Sequence, residues 1–424
     1  MTTATASLST TQEALVAGPN QKYWDLGLKS FNEGQSATTA MQTLYNAWMP
    51  PFSLNVLASI IGALYGDTYW AQTKMDQKLL AYQLQAALGI KPADCQKAAS
   101  YAFSNWYGLL VRGFLNDNGA IPRQGNVTDS PDVVLNGQAP LSTQQLINNW
   151  NVYHWDEAPG FKNYAYGRAQ SINIQVPISS PVLRMYYSEQ GFNPPPSTWV
   201  KLYTFGSGSE TSPLQGLNPG PIQVGGRAAN GGADDAFALT VPGTGHYCSI
   251  SVAGSEFFTN NPSDSGGNWD SYELITNDGA AGWRNFNTST AKEETLKFYN
   301  QDASAEHFVF EAHSSKVPAG TTVSLGFEDR KLSSASPTQS AKISSAYQVV
   351  TTEAEVPANT SGNLIVGIDK ALPAGAFVEV RLLWVLPSTH RNYEQAIEHL
   401  GATSAARKND AVRVQLGNFT FIGR

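Results

Sequence analysis

From about Thr10 to Leu115, apolar residues recur at three- and four-residue steps, as in Leu79, Leu80, Leu84 and Leu88 of "QKLLAYQLQAALGI". That period lays one apolar stripe along a helix. Gly89 stops this helix, and Pro92-Ala-Asp94 starts another through "CQKAASYAFSNWYGLLVRGFL", because glycine accepts the left-handed turn after a helix and proline suits its first position. Gly, Pro, Asn and Asp then gather in "NDNGAIPRQGNVTDSPD", which marks a boundary.

After Trp150 the period changes to two. Ile172, Ile174 and Val176 alternate with polar neighbours, as do Leu183, Met185 and Tyr187, then Phe237, Leu239 and Val241, then Cys248, Ile250 and Val252. Short alternating runs bounded by Gly, Pro or Asn predict the strands of a β-sandwich. A second set begins near Leu296 and contains an echo, "VPAGTTVSLGF" at 317–327 and "LPAGAFVEVRL" at 372–382. In both, a Pro-Ala-Gly turn feeds a strand whose alternate residues (Val323, Leu325 and Phe327; Val378, Val380 and Leu382) can face one core. The expected fold is α+β and multidomain: a helical region over 1–120, a first sandwich with its leading loop over 121–292, and a second sandwich over 293–424.

The "PGTGHYCSISV … NDGAAGWRNFN" run (242–252 and 277–287) and the Pro-Ala-Gly strand starts resemble the immunoglobulin-like sandwich domains of bacterial surface and exported proteins. The resemblance covers about the last 260 residues. It implies two immunoglobulin-like antiparallel sandwiches acting as binding or spacing modules, and it brings no catalytic residues.

Composition narrows the function. The chain has 424 residues, 42% hydrophobic and only 14% charged, with a net charge of −7. Its basic residues are scattered, so no stripe exists to neutralise a phosphate backbone and nucleic acid is not an expected partner. The first twenty residues lack a basic n-region followed by an apolar run. The expectation is an extracellular or exported protein that uses a route other than Sec.

No charged residue occurs between Gly34 and Gly66. Prolines and polar residues interrupt the apolar run there, leaving it shorter than the roughly 20 residues of a spanning helix. A buried core helix is the first reading, and a segment entering a membrane after a trigger, through Leu54, Leu57, Ile60, Ile61 and Leu64, is the alternative. Cys95 and Cys248 lie far apart and form no metal or redox pattern.

Candidate chemistry is sparse. In "LPSTHRNYEQAIEHLG", Pro387 ends a strand and a short helix presents Tyr393, Ala396, Ile397 and Leu400 on one side. His390 and His399 point in opposite directions, so only His390 and Glu394 can face each other, on a solvated surface. In "EHFVFEAHSS", His307, Val309, Glu311 and His313 share a polar outer strand face while Phe308, Phe310 and Ala312 face a core. The Gly-rich "NNPSDSGGNWDSYE" gathers Asp264, Asn268, Asp270 and Glu273, oxygen ligands suited to calcium on a loop. No other cofactor is indicated.

Aromatic clusters around Trp155, Tyr164 and Tyr166 are candidates for protein or glycan contact. No nucleophile elbow, phosphate-binding loop, zinc-protease helix or dinucleotide fingerprint occurs. The expected activity is non-enzymatic binding, adhesion or assembly. One rival is a pore-forming or insecticidal-type toxin with membrane-active helices and receptor-binding sandwiches. The other is a hydrolase whose site, between the helical region and the first sandwich, uses His154, Asp156 and Glu157.

Overall fold

The computed structural model describes residues 21–47, 54–65, 77–123, 127–158, 160–174, 176–189, 191–192, 194–240, 247–256, 259–262, 271–286, 292–328, 332, 338–390, 393 and 411–423. It is helical at its N-terminal end and thereafter built on antiparallel sheets. The expected α+β class holds at that level.

The helices are α1 (Gln21–Asn32), α2 (Ala37–Ala47), α3 (Leu54–Tyr65), α4 (Gln77–Leu88) and α5 (Pro92–Phe103). The uncharged α3 is their centre: Leu57, Ile60, Ile61 and Leu64 are fully buried, against Met41 and Leu44 of α2 and Leu80 and Leu84 of α4. Gly27 lets α1 come close, since a Cβ there would lie 2.8 Å from the Ile60 side chain. The apolar segment thus satisfies its hydrophobicity within the bundle. Among the described residues no helix is long and apolar enough to cross a membrane.

α5 is shorter than its apolar period predicts. It ends at Phe103, where Ser104 takes the left-handed conformation (φ 59°) and returns its N–H to the last turn. The following apolar residues go to a sheet instead: β1 (Gly108–Leu110) pairs with β4 (Lys162–Ile172), and the Trp106 indole, fully buried, donates to the Leu109 carbonyl at 2.8 Å. The first β unit therefore recruits residues ahead of position 121.

That unit has two layers. The first sheet runs β1-β4-β2-β3, with β2 at Val133–Asn136 and β3 at Trp155–Asp156, and β8 (Arg227–Ala229) and β9 (Phe237–Thr240) also pair with the long β4. Asn173, at φ 52°, ends β4, so Ile174 and Val176 leave the strand predicted for them. A short helix, α6 (Thr143–Asn148), precedes β3 and is held by a capping box between Ser142 and Gln145. The second sheet runs β11-β10-β5-β6, with β5 at Val182–Glu189, β6 at Val200–Lys201, β10 at Tyr247–Gly254 and β11 at Ala281–Phe286, and β7 (Ser212–Pro213) on β5. α7 (Ser271–Asn277) lies before β11.

All eight residues of β10 are buried, because the second sheet is covered on both faces. Tyr247 and Ala253 share a core with Leu183 and Met185 towards the first sheet, while Cys248, Ile250 and Val252 belong to a second core with Trp199 and Trp283.

The second β unit contains two four-stranded antiparallel sheets. Its third sheet is β12 (Glu293–Tyr299), β17 (Ser361–Ile368), β14 (Thr322–Phe327) and β15 (Gln339–Lys342), in that order. Its fourth is β16 (Tyr347–Val356), β13 (Glu306–Ser315), β18 (Phe377–Pro387) and β19 (Ala411–Ile422). The echoed strands β14 and β18 sit in opposite sheets, and Val323, Leu325, Val378, Val380 and Leu382 meet in one core, as alternation predicts.

The two β units share that core. Phe192, between β5 and β6, donates its N–H to the Lys297 carbonyl at 2.6 Å, and its ring meets Phe310 at 6.1 Å, which in turn joins Phe298 at 4.8 Å. Apolar residues of both units form one continuous cluster across position 292.

Candidate functional site

The fourth sheet turns Phe308, Phe310 and Ala312 inward and leaves a polar outer face, as "EHFVFEAHSS" predicts. Cross-strand register sets its rows. Tyr347, Ser315, Phe377 and Ile422 lie abreast, followed by Val349, His313, Glu379 and Thr420, and then Thr351, Glu311, Arg381 and Asn418. Tyr347, Phe377 and Val349 are 59%, 37% and 38% exposed, an aromatic and aliphatic group at one end of the face.

A chain of polar contacts runs beneath them. The Tyr347 hydroxyl meets His313 Nδ1 at 2.5 Å, His313 Nε2 lies 2.9 Å from Glu311 Oε2, and Arg413 Nη1 donates to Glu311 Oε1 at 2.9 Å. A carboxylate only accepts, so the neutral imidazole carries its proton on Nε2, and Nδ1 accepts from the tyrosine. The His313 hydrogen bond holds the Glu311 carboxyl below its ordinary range, against the upward push of burial and with help from the charges of His313, Arg413 and Arg381.

Glu379 forms a second group beside His313. It accepts from Arg381 at 2.6 and 3.0 Å and from Asn418 at 2.9 Å. Burial pushes its carboxyl up, but these bonds and the Arg381 and His313 charges bring it below the usual range. Asn418 also receives Thr128 Oγ1 at 2.9 Å and Asn285 Nδ2 at 2.8 Å, so the first β unit covers this side of the face.

His390 differs from its expected place on a solvated helix. It turns back onto Glu306, with Nε2 3.1 Å from Oε1, because the Glu306 carboxylate is buried and needs donors. Trp384 Nε1 at 2.7 Å and Ser304 Oγ at 2.8 Å supply the others. Glu394, His399 and the remaining residues of that predicted helix except Tyr393 lie outside the described residues.

The first β unit holds a different constellation. Asp132, fully buried, accepts from Arg112 at 2.7, 2.8 and 2.9 Å and pairs with Arg168 at 3.2 Å. Both guanidiniums lie over the Trp150 ring, at 4.4 and 5.5 Å. Arg123 pairs with Asp117 at 2.9 Å and donates to the carbonyls of Ile275 and Gly279. These buried charges tie the irregular segment between β1 and β2 to α6 and β4.

Of the residues expected to catalyse hydrolysis, His154 Nε2 is bonded to Asn136 Oδ1. Burial lowers its pKa, with the Asp156 charge opposing and Arg168 and Arg284 adding to the fall. Its carbonyl receives Arg284 at 3.1 Å. Asp156 lies on β3 and Glu157 just after it.

The aromatic contact group expected around position 165 is drawn inward. Tyr166 is fully buried, its hydroxyl accepts the Leu141 N–H at 2.8 Å, and burial pushes it up to about 12. It is a core residue. Tyr164 is half-buried and stacked on Phe205 at 4.3 Å. Trp155 lies on β3, and its side chain is outside the described residues.

Asp264, Asn268 and Asp270 of the calcium loop are also outside them, and Glu273 falls on α7 with its side chain undescribed. Among the described residues no three His, Cys, Asp or Glu side chains are grouped to hold a metal ion. Cys95 and Cys248 are free and buried. Burial pushes the Cys95 thiol up to about 12 and Cys248 higher still, so neither is poised as a thiolate.

No protein-family model matches the chain, and no curated protein matches it. The rows of the fourth sheet were missed in the sequence because they depend on strand register. The alternation of "YQVVTTEAEV" places Tyr347, Val349 and Thr351 on one side, but nothing in it names His313 as their neighbour.

Proposed function

We propose that this is a non-enzymatic binding or assembly protein of the exported, immunoglobulin-like type, which engages a protein or glycan through the outer face of its fourth sheet. One observation carries the reading. Tyr347 is well exposed, yet it is restrained through His313, Glu311 and Arg413, three side chains on two further strands. An exposed ring still has apolar area to bury on contact, and one already fixed before contact loses less side-chain entropy on binding. Tyr347 and Phe377 flank Ser315 from the two neighbouring strands, about 10 Å apart by strand spacing, so both can meet one ligand.

The test compares the full chain with a Tyr347→Ala, Phe377→Ala variant on arrays of glycans and extracellular proteins. Loss of about tenfold or more in affinity for a ligand held by the native chain is the expected result, in keeping with removal of aromatic anchors. Equal binding by the variant would move the function off this face, and a native chain that binds nothing on either array would count against a binding role.

A further inference from the structure

The contacts that fix Tyr347 also arrange a reactive group, and we propose that Tyr347 is a nucleophile, assisted by His313 as general base, that takes an acyl group from activated esters. The inference uses the same residues as the binding face but stands whether or not that face holds a partner. A hydroxyl against one imidazole nitrogen, with a carboxylate on the other, is the arrangement in which a weak nucleophile is activated and its base oriented. Here the hydroxyl is 2.5 Å from His313 Nδ1, the carboxylate of Glu311 is 2.9 Å from Nε2, and Arg413 fixes that carboxylate from its far side.

Solvent exposure is divided as such a role requires. Tyr347 is 59% exposed while His313 is 8% exposed, so the tyrosine stands at the surface and the base is largely sheltered from water. The surrounding charges are Glu379 and Arg381 on β18, Arg413 on β19 and Glu311 on β13 itself. Glu311 and Glu379 favour the imidazolium that forms, and each carboxylate is itself held by an arginine.

In the step, Tyr347 Oη attacks the carbonyl carbon and its proton passes to His313 Nδ1. The bond from carbonyl carbon to leaving oxygen breaks, that oxygen departs with the electron pair, and Tyr347 is left as an acyl ester. His313 then gives its proton to water or to the leaving group. Nothing is oxidised or reduced, and one acyl group is transferred for each chain.

p-Nitrophenyl acetate is the probe, with nitrophenolate release followed by absorbance and acetylated tyrosines located by peptide mass. Tyr82 and Tyr203, 68% and 48% exposed, are references within the same molecule. Acetylation of Tyr347 is expected to be at least about tenfold faster than theirs, within the range of general-base assistance.

In His313→Gln the advantage should vanish. Tyr347 reacting no faster than Tyr82 in the native chain would overturn the proposal without recourse to a variant that fails to fold. An advantage retained in His313→Gln would overturn the assignment of the base. Tyr347→Phe separates this inference from the binding role, since it keeps the ring and removes the nucleophile.

Discussion

Glu306 shows how one buried carboxylate organises its surroundings. Burial alone would raise its pKa, but the hydrogen bonds from His390, Trp384 and Ser304 outweigh that and hold it below the usual range. A group with a depressed folded pKa adds stability that is complete above its unfolded pKa, near 4.3, and is lost as pH falls through the folded value. Below about pH 4.3 the unfolded chain takes up the proton first, so the sign is a loss of stability on acidification. Glu306→Gln should be less stable at pH 7 and show a flatter decline between pH 5 and 3 in denaturant titrations. An unchanged acid slope would show that ionisation of Glu306 contributes nothing to stability.

At the scale of elements, periodicity carried α3 and α4, the Pro92 start of α5, and the inward sets of β13, β14 and β18. Each is a segment whose burial follows from its own alternation. The end of α5 was not legible, because Trp106, Leu109 and Leu110 fit a helix stripe as well as a strand and only their pairing with β4 decides. Nor was the inward turn of Tyr166, since β4 is covered on both faces along much of its length and alternation no longer separates core from surface. The segment between β1 and β2 reads as a boundary, and its described residues form no helix or strand, yet Arg112, Asp117, Arg123 and Asp132 there are buried and paired. Its anchor is Asp132. Asp132→Asn should cost about 3–5 kcal/mol in denaturant unfolding, the penalty for leaving buried guanidiniums without their anion. A loss under about 1 kcal/mol, typical of exposed pairs, would refute that role.

For the whole molecule the informative residue is Phe192. It belongs by sequence to the first β unit, but its ring contacts Phe310 and its backbone pairs with Lys297 of the second. Phe192→Ala should lower stability by roughly 3–5 kcal/mol, as for other buried aromatics. Because the core is shared, hydrogen exchange should quicken together in β10 and β13, which lie on opposite sides of position 292. Faster exchange in one unit alone would mean that the two cores open independently. Phe192, Trp199 and Trp283 lie in the same buried cluster as Phe308, Phe310 and Trp384, on the other side of position 292.

That shared core also has a mechanical meaning. Beads joined by a flexible linker let a tethered partner swing, and tension on one bead is dissipated in the linker before it reaches the next. Here the aromatic contacts of Phe192 with Phe310, and of Phe310 with Phe298, join the two β units where a linker would otherwise stand. Under the binding role proposed above, a partner seated on the fourth sheet would be carried by a body whose core runs unbroken from that sheet into the second one.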